Sequence, residues 1–178
     1  MPAVEDKSKT RIKWGSSISI FLIVAISIWI VFRVAFPDIP TLFAGTRPTN
    51  LGIRAGQLAS CPSTPNCVSS QGQNAEHEIE PLNYRGSAKE AMTHLKQVIQ
   101  SQPRAKLSAE TDNYLYAEFT SPWMGFVDDG EFYLKEGDGV IEVRSASRLG
   151  ESDLGVNRQR IETIRTQFNQ LQGHSTGS

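Results

Sequence analysis

Histidine is scarce in this chain. His77, His94 and His174 are the only three, and none stands in the stretch densest in charged and amide side chains. No Ser-His-Asp or Cys-His arrangement can therefore be assembled. No phosphate loop and no dinucleotide fingerprint occurs, and nothing implies a cofactor. Charge of one sign is missing too: 18 Lys and Arg against 19 Asp and Glu leave a net charge of −1. That balance excludes a field for nucleic acid and an acidic tail. There are no internal repeats and no low-complexity tract.

Charge is absent altogether from Gly15 to Phe32, GSSISIFLIVAISIWIVF. As a helix this run rises roughly 27 Å, close to the ~30 Å of a bilayer's hydrocarbon. It is longer than the ~7–15 apolar residues of a cleaved signal peptide, and no good small-x-small cleavage site follows. Leu58-Ala59-Ser60-Cys61 looks like a lipoprotein box, but it lies far beyond the run with Arg54 between. An uncleaved anchor is therefore expected. Lys7, Lys9, Arg11 and Lys13 precede it and only Arg33 and Arg47 follow closely. That asymmetry predicts a cytoplasmic N-terminus and a C-terminal domain on the periplasmic or lumenal side.

The organisation expected is a cytoplasmic tail over 1–14, a transmembrane anchor over 15–36 and a Pro- and Gly-broken linker over 37–60. An exported α+β domain over 61–172 and a disordered tail over 173–178 complete it. The two cysteines suit such an address. Cys61 and Cys67 bracket Pro-Ser-Thr-Pro-Asn, and a bridge closing so short a loop is worth roughly 2.4 kcal/mol by the chain-entropy argument. Free thiols are one alternative. Zinc with His77 as third ligand is another, disfavoured by the spacing and the lack of a fourth ligand.

Within the domain, His77 to Leu82 reads as a short strand. Ser87-Ala88-Lys89-Glu90 is a capping box opening an amphipathic helix that stops at Pro103. Ala105–Ala109 and Tyr114–Ser121 alternate around Thr-Asp-Asn, and Phe126–Lys135 and Val140–Ser147 alternate around Glu136-Gly137-Asp138-Gly139, a hairpin signal. Ile161, Ile164, Phe168 and Leu171 mark a closing helix. Strand, helix, four strands, helix predicts an α+β two-layer sandwich, with both helices on one face of an antiparallel sheet. The layout resembles the TATA-binding-protein-like fold, a likeness that implies no function.

A symmetric turn at 136–139 places Glu131 opposite Arg144 and Tyr133 opposite Glu142, with Phe132 and Val143, and Leu134 and Ile141, on the helix side. The first face, with Asp129, Tyr116 and Glu118, is then mixed acidic, basic and aromatic. It is either a solvated face of ion pairs or a groove in which Arg144 and Arg148 receive a ligand or partner. Asp128-Asp129-Gly130-Glu131 offers carboxylates to a divalent ion, but its spacing fits no known calcium loop and no metal is expected. Beyond Gly150, Ser152 or Asp153 is a candidate helix cap. Asn157, Arg158 and Glu162 follow on the first turns, and Arg158 or Arg160 is in position to pair with Asp153 or Asp128. A structural joint and an anion site at the helix start are the two readings of that junction.

CPSTPNCVSS (61–70), YLYAEFTS (114–121), GFVDDGEF (125–132) and the Arg144–Glu162 segment together resemble the domain-of-unknown-function 1499 family. The resemblance covers roughly 57–172. It implies an N-terminal membrane or export segment and supplies no established catalytic residue or cofactor. By resemblance and by pattern, the expected ligand or partner site is Asp128, Asp129, Glu131, Arg144, Arg148, Asp153, Asn157 and Arg158. Three functions follow: an anchored accessory domain binding a ligand or protein partner on an exposed sheet face, a hydrolase-like enzyme using Asp128, Asp129 or Glu131, or a structural assembly factor.

Overall fold

The computed structural model describes residues 8–36 and 39–175. The outermost parts of both predicted tails and linker positions 37 and 38 lie outside the described residues. The chain divides into two compact units, Met1–Ile39 and Pro40–Ser178.

The first unit holds α1, Ser8–Ala35. It begins earlier than the apolar pattern, because Lys9, Arg11 and Lys13 are good helix formers and nothing before Gly15 breaks the turn. Its stretch Ser17–Ala35 is long and apolar enough to cross a membrane. Ser27 donates its hydroxyl to the Ile23 carbonyl one turn back, so that polar group is satisfied within the helix.

The second unit has the α+β architecture expected. Its elements are β1 (Cys67–Ser69), β2 (Leu82–Asn83), α2 (Ala88–Ser101), β3 (Ala105–Thr111), β4 (Tyr114–Thr120), β5 (Val127–Lys135), β6 (Val140–Ser147) and α3 (Val156–Ser175). The sheet is antiparallel in the order β1-β6-β5-β4-β3, and β2 pairs with β6 beyond the end of β1. The predicted capping box opens α2: the Glu90 N–H reaches the Ser87 hydroxyl at 3.2 Å, and the Glu90 carboxylate receives the Ser87 N–H at 3.3 Å.

Two details differ from the sequence reading. β1 was not expected, and the strand predicted at 77–82 is reduced to an isolated parallel bridge between Glu78 and Ser69 and to the start of β2 at Leu82. The carbonyls of Glu76 and Glu78 accept from Arg158, and those of Glu80 and Pro81 from Arg165. Side chains of α3 thus satisfy groups that a strand neighbour would otherwise take.

One face of the sheet meets the helices. Leu115, Ala117, Phe119, Phe132, Leu134, Ile141 and Val143 pack there with Leu95, Val98 and Ile99 of α2 and Ile161, Ile164 and Phe168 of α3. The opposite face is covered by irregular chain: Leu51, Ile53 and Leu58 lie against Tyr114, Tyr116 and Tyr133. Residues 40–60, expected as linker, thus fold within the second unit, and 47–58 form a strap across the sheet.

Candidate functional site

The hairpin register is the predicted one, Glu131 opposite Arg144, Phe132 opposite Val143, Tyr133 opposite Glu142 and Leu134 opposite Ile141. Alternation then sorts the charged residues onto two faces, and each face has its own cluster.

Under the strap, Glu131 is fully buried. Its carboxylate accepts from Arg144 Nη1 at 3.1 Å, from the Tyr114 hydroxyl at 2.7 Å and from the Gly52 backbone N–H at 2.7 Å. Next along β5, Asp129 accepts from Arg148 Nε and Nη2, at 3.0 and 2.7 Å, and from the Tyr116 hydroxyl at 2.6 Å. Glu118 joins from β4, bridging Arg148 to Arg47 of the strap. Three carboxylates meet three guanidinium groups, so the cluster is neutral, as burial demands. The face expected to be exposed is closed, because the strap supplies both apolar cover and hydrogen-bond partners. Arg144 Nε is the exception. In the second unit it is the one buried side-chain polar atom without a hydrogen-bond partner among the described residues.

The electrostatics follow from that closure. Burial, the Glu131 charge and the hydrogen bond to it raise the Tyr114 pKa, and burial with the hydrogen bond to Asp129 raises that of Tyr116. Burial lowers the Arg148 value, but its bonds to Asp129 and Glu118 outweigh this and hold it raised. Burial pushes Glu118 up, yet the Arg148, Arg47 and Tyr116 hydrogen bonds leave it below the usual carboxylate range. These groups are locked in their ordinary charge states and not poised to exchange protons near neutrality.

The second cluster lies on the helix face, at the end of the core. Asp128 pairs with Arg160, whose Nη1 also donates to the Asn157 side-chain Oδ1 at 2.6 Å and to the Ser145 hydroxyl at 3.0 Å. The Arg160 guanidinium stacks on the Phe119 ring, 4.7 Å from its centroid, and Phe119 in turn occupies the space over Gly130. A Cβ there would come within 2.6 Å of that ring, so glycine in mid-strand is required by close packing. Fully buried Asn157 donates to the Asn66 carbonyl, the Ser147 hydroxyl and Asp153. Asp153 caps α3 by accepting the N–H groups of Gly155 and Asn157. Asn66 donates to the Gly150 carbonyl and accepts the Ser147 N–H, joining the cysteine loop to the end of β6. Cys61 and Cys67 are bonded, with Cα atoms 5.6 Å apart. His77 Nδ1 lies 3.0 Å from the Cys67 carbonyl, away from both clusters.

The eight expected site residues therefore do not converge. Glu131, Arg144, Asp129 and Arg148 lie under the strap. Asp128, Asn157 and Asp153 lie at the head of α3, and Arg158 holds backbone carbonyls on the segment before β2. Asp128 points to the helix face while Asp129 and Glu131 share the strap face, and each of the three is held by its own arginine, so they form no acid–base pair. Asp128-Asp129-Gly130-Glu131 is mid-strand, not a metal loop, and the described residues hold no group of three or more acidic, His or Cys ligands suited to a metal ion. The sequence reading missed Arg160 as a site member, along with Asn66 and the strap's Arg47 and Gly52. Asn66 sits in the CPSTPNC motif and Arg160 in the polar segment, which were signals. Nothing in the sequence distinguishes Arg47.

The family model described as protein of unknown function, DUF1499, matches residues 57–168. The chain belongs to this family. Both charge clusters fall within the matched DUF1499 segment except for Arg47 and Gly52, which precede it. No curated protein matches the sequence.

Proposed function

We propose that this DUF1499 protein is a single-pass membrane protein serving as an accessory domain, with the two charge clusters as its frame. The observation that carries this reading is the closure of the polar sheet face. Its charged side chains are matched by one another and by the strap, which leaves no open groove in which Arg144 and Arg148 would receive a ligand. A partner is then met by the outer surface of the domain.

The anchor reading is supported by the length and composition of Ser17–Ala35. The basic residues before it support a cytoplasmic N-terminus, and the Cys61–Cys67 disulfide supports a periplasmic or lumenal domain. The test is fractionation of cells expressing the full chain. Retention in alkaline-washed membranes with an intact N-terminus, and digestion of residues 40–178 by protease only from the non-cytoplasmic side, are expected. A mature N-terminus beyond residue 35, or release by the wash, overturns the anchor. Loss of partner cross-linking in a still-folded Arg144→Ala, Arg148→Ala protein overturns the purely structural role of the cluster.

A further inference from the structure

Besides Leu154 and Val156 at the head of α3, the second unit exposes a group of large apolar side chains at one end of its sheet. Leu42 is 97 % exposed and Trp123 58 %, and Phe43, Met124, Phe126 and Leu149 are each about 37–42 % exposed. The segments that carry them are joined by specific contacts, with Leu42 and Trp123 placed by their chain neighbours. The Phe43 and Phe126 rings lie 5.3 Å apart. Thr41 donates its hydroxyl to the Met124 carbonyl at 2.8 Å. The same side chain lies over Gly125, where a Cβ would come within 2.7 Å of it. At Gly45 a Cβ would meet Arg148 and Leu149 at 2.8 and 3.0 Å, so the strand of chain through 41–45 runs between the 123–126 turn and the end of β6. The patch is thus held in place by packing at its base while its side chains project outward. Leucine, methionine, phenylalanine and tryptophan presented together are the chemistry of a bilayer interface.

Chain length says which surface is within reach. α1 ends at Ala35, and Leu42 follows seven positions later. Seven residues span at most about 25 Å even fully extended, little more than the ~5–7 Å headgroup layer plus the radius of a small domain. The connecting residues include Phe36 and Ile39, themselves apolar and about half exposed. Resting on the anchor reading above, we propose that this patch is a second membrane contact. Leu42, Phe43, Trp123, Met124, Phe126 and Leu149 insert into the lipid interface of the bilayer that α1 spans, and the domain is held against the membrane in one orientation.

The tryptophans permit a direct test, because Trp14, Trp29 and Trp123 are the only three. Full-length protein retaining only Trp123 (W14F, W29F), or only Trp29 (W14F, W123F), is placed at one copy per nanodisc, with lipids brominated near the top of the acyl chain. An interfacial Trp123 loses emission by about twofold or more relative to unbrominated lipid, and Leu42→Glu with Met124→Glu restores it while Trp29 stays quenched. Quenching of Trp29 without quenching of Trp123 overturns the patch contact and leaves the anchor standing. An unquenched Trp29 overturns the anchor and the proposal with it. Trp123 shielding that appears only with two copies per disc assigns the patch to a second chain and overturns the lipid contact. Both substituted side chains are exposed, so loss of the fold, checked by circular dichroism, is not expected.

Discussion

The two faces of the sheet are built from the same strands and are buried to similar depth, yet they are buried by different chemistry. The helix face is closed by hydrocarbon around Phe132, Leu134 and Val143. One residue away in sequence, the strap face is closed by Glu131, Asp129, Arg144, Arg148 and two tyrosines. Hydrocarbon gains stability from leaving water, at about 25 cal/mol per Å². Ion pairs lose most of what they gain to desolvation, so they add little net stability and instead make any wrong partner expensive. The helix face is therefore expected to tolerate volume-conserving repacking better than the strap face.

The largest effects should come from breaking each face at its centre. Glu131→Ala leaves Arg144 buried without its counter-charge and should cost about 3–5 kcal/mol, measured by denaturant unfolding of the full chain in detergent. Phe132→Ala, one position on, should cost a similar ~3–5 kcal/mol through its cavity. The faces then separate on rescue. Glu131→Leu with Arg144→Met should recover part of the loss, leaving the Tyr114 hydroxyl and Gly52 N–H short of an acceptor at about 1–3 kcal/mol. Full equality of the double variant with Glu131→Ala would show that ion pairing is not what holds this face.

A middle-sized effect is expected in the cluster at the head of α3. Asn157→Ala removes the acceptor of the buried Ser145 hydroxyl and frees the head of α3, for a loss of about 1–3 kcal/mol. It should leave Tyr114 and Tyr116 shielded, which near-ultraviolet titration checks.

The strap face should respond to pH at both extremes. Tyr114 and Tyr116 have raised values in the folded state, so the stability they contribute is complete below the unfolded tyrosine value of about 10 and is lost as pH rises beyond it. Their absorbance at alkaline pH should appear only with unfolding. Glu118 is depressed from 4.5, so its contribution is present above that pH and is lost as the solution is acidified through its lower folded value. Glu118→Gln should flatten that acid limb. The smallest effect is expected at the strap's rim, where Arg47 is half exposed. Arg47→Ala should cost less than about 1 kcal/mol and less still in high salt.

How much of this was legible depended on how local the signal was. The 136–139 turn joins adjacent strands, so counting outward from it sufficed to pair Glu131 with Arg144. The capping box at Ser87 and Glu90 was equally local. Residues 47–58 were opaque because prolines and glycines read alike whether a segment floats or lies flat on a sheet. Its binding groups are backbone N–H donors and single side chains such as Gly52 and Arg47, which carry no periodicity. The strand expected at 77–82 is cut short for a related reason: the Glu78 and Pro81 carbonyls are taken by Arg158 and Arg165, 80 and 84 positions away. Composition placed the polar residues correctly on one face, but nothing in the alternation says whether water or chain lies over it.

Gly52 meets Glu131 across 79 residues, and Arg47 meets Glu118 across 71. Synthesis makes the strap first and its docking surface last. Leu51, Ile53 and Leu58 therefore leave the ribosome long before Tyr114, Tyr116 and Tyr133, and they wait as open chain until β4 and β5 are made. The closing step is non-local and correspondingly slow. An incompletely made chain would carry three apolar side chains and a row of unmatched carboxylates, which gives quality control a ready way to tell it from the finished protein.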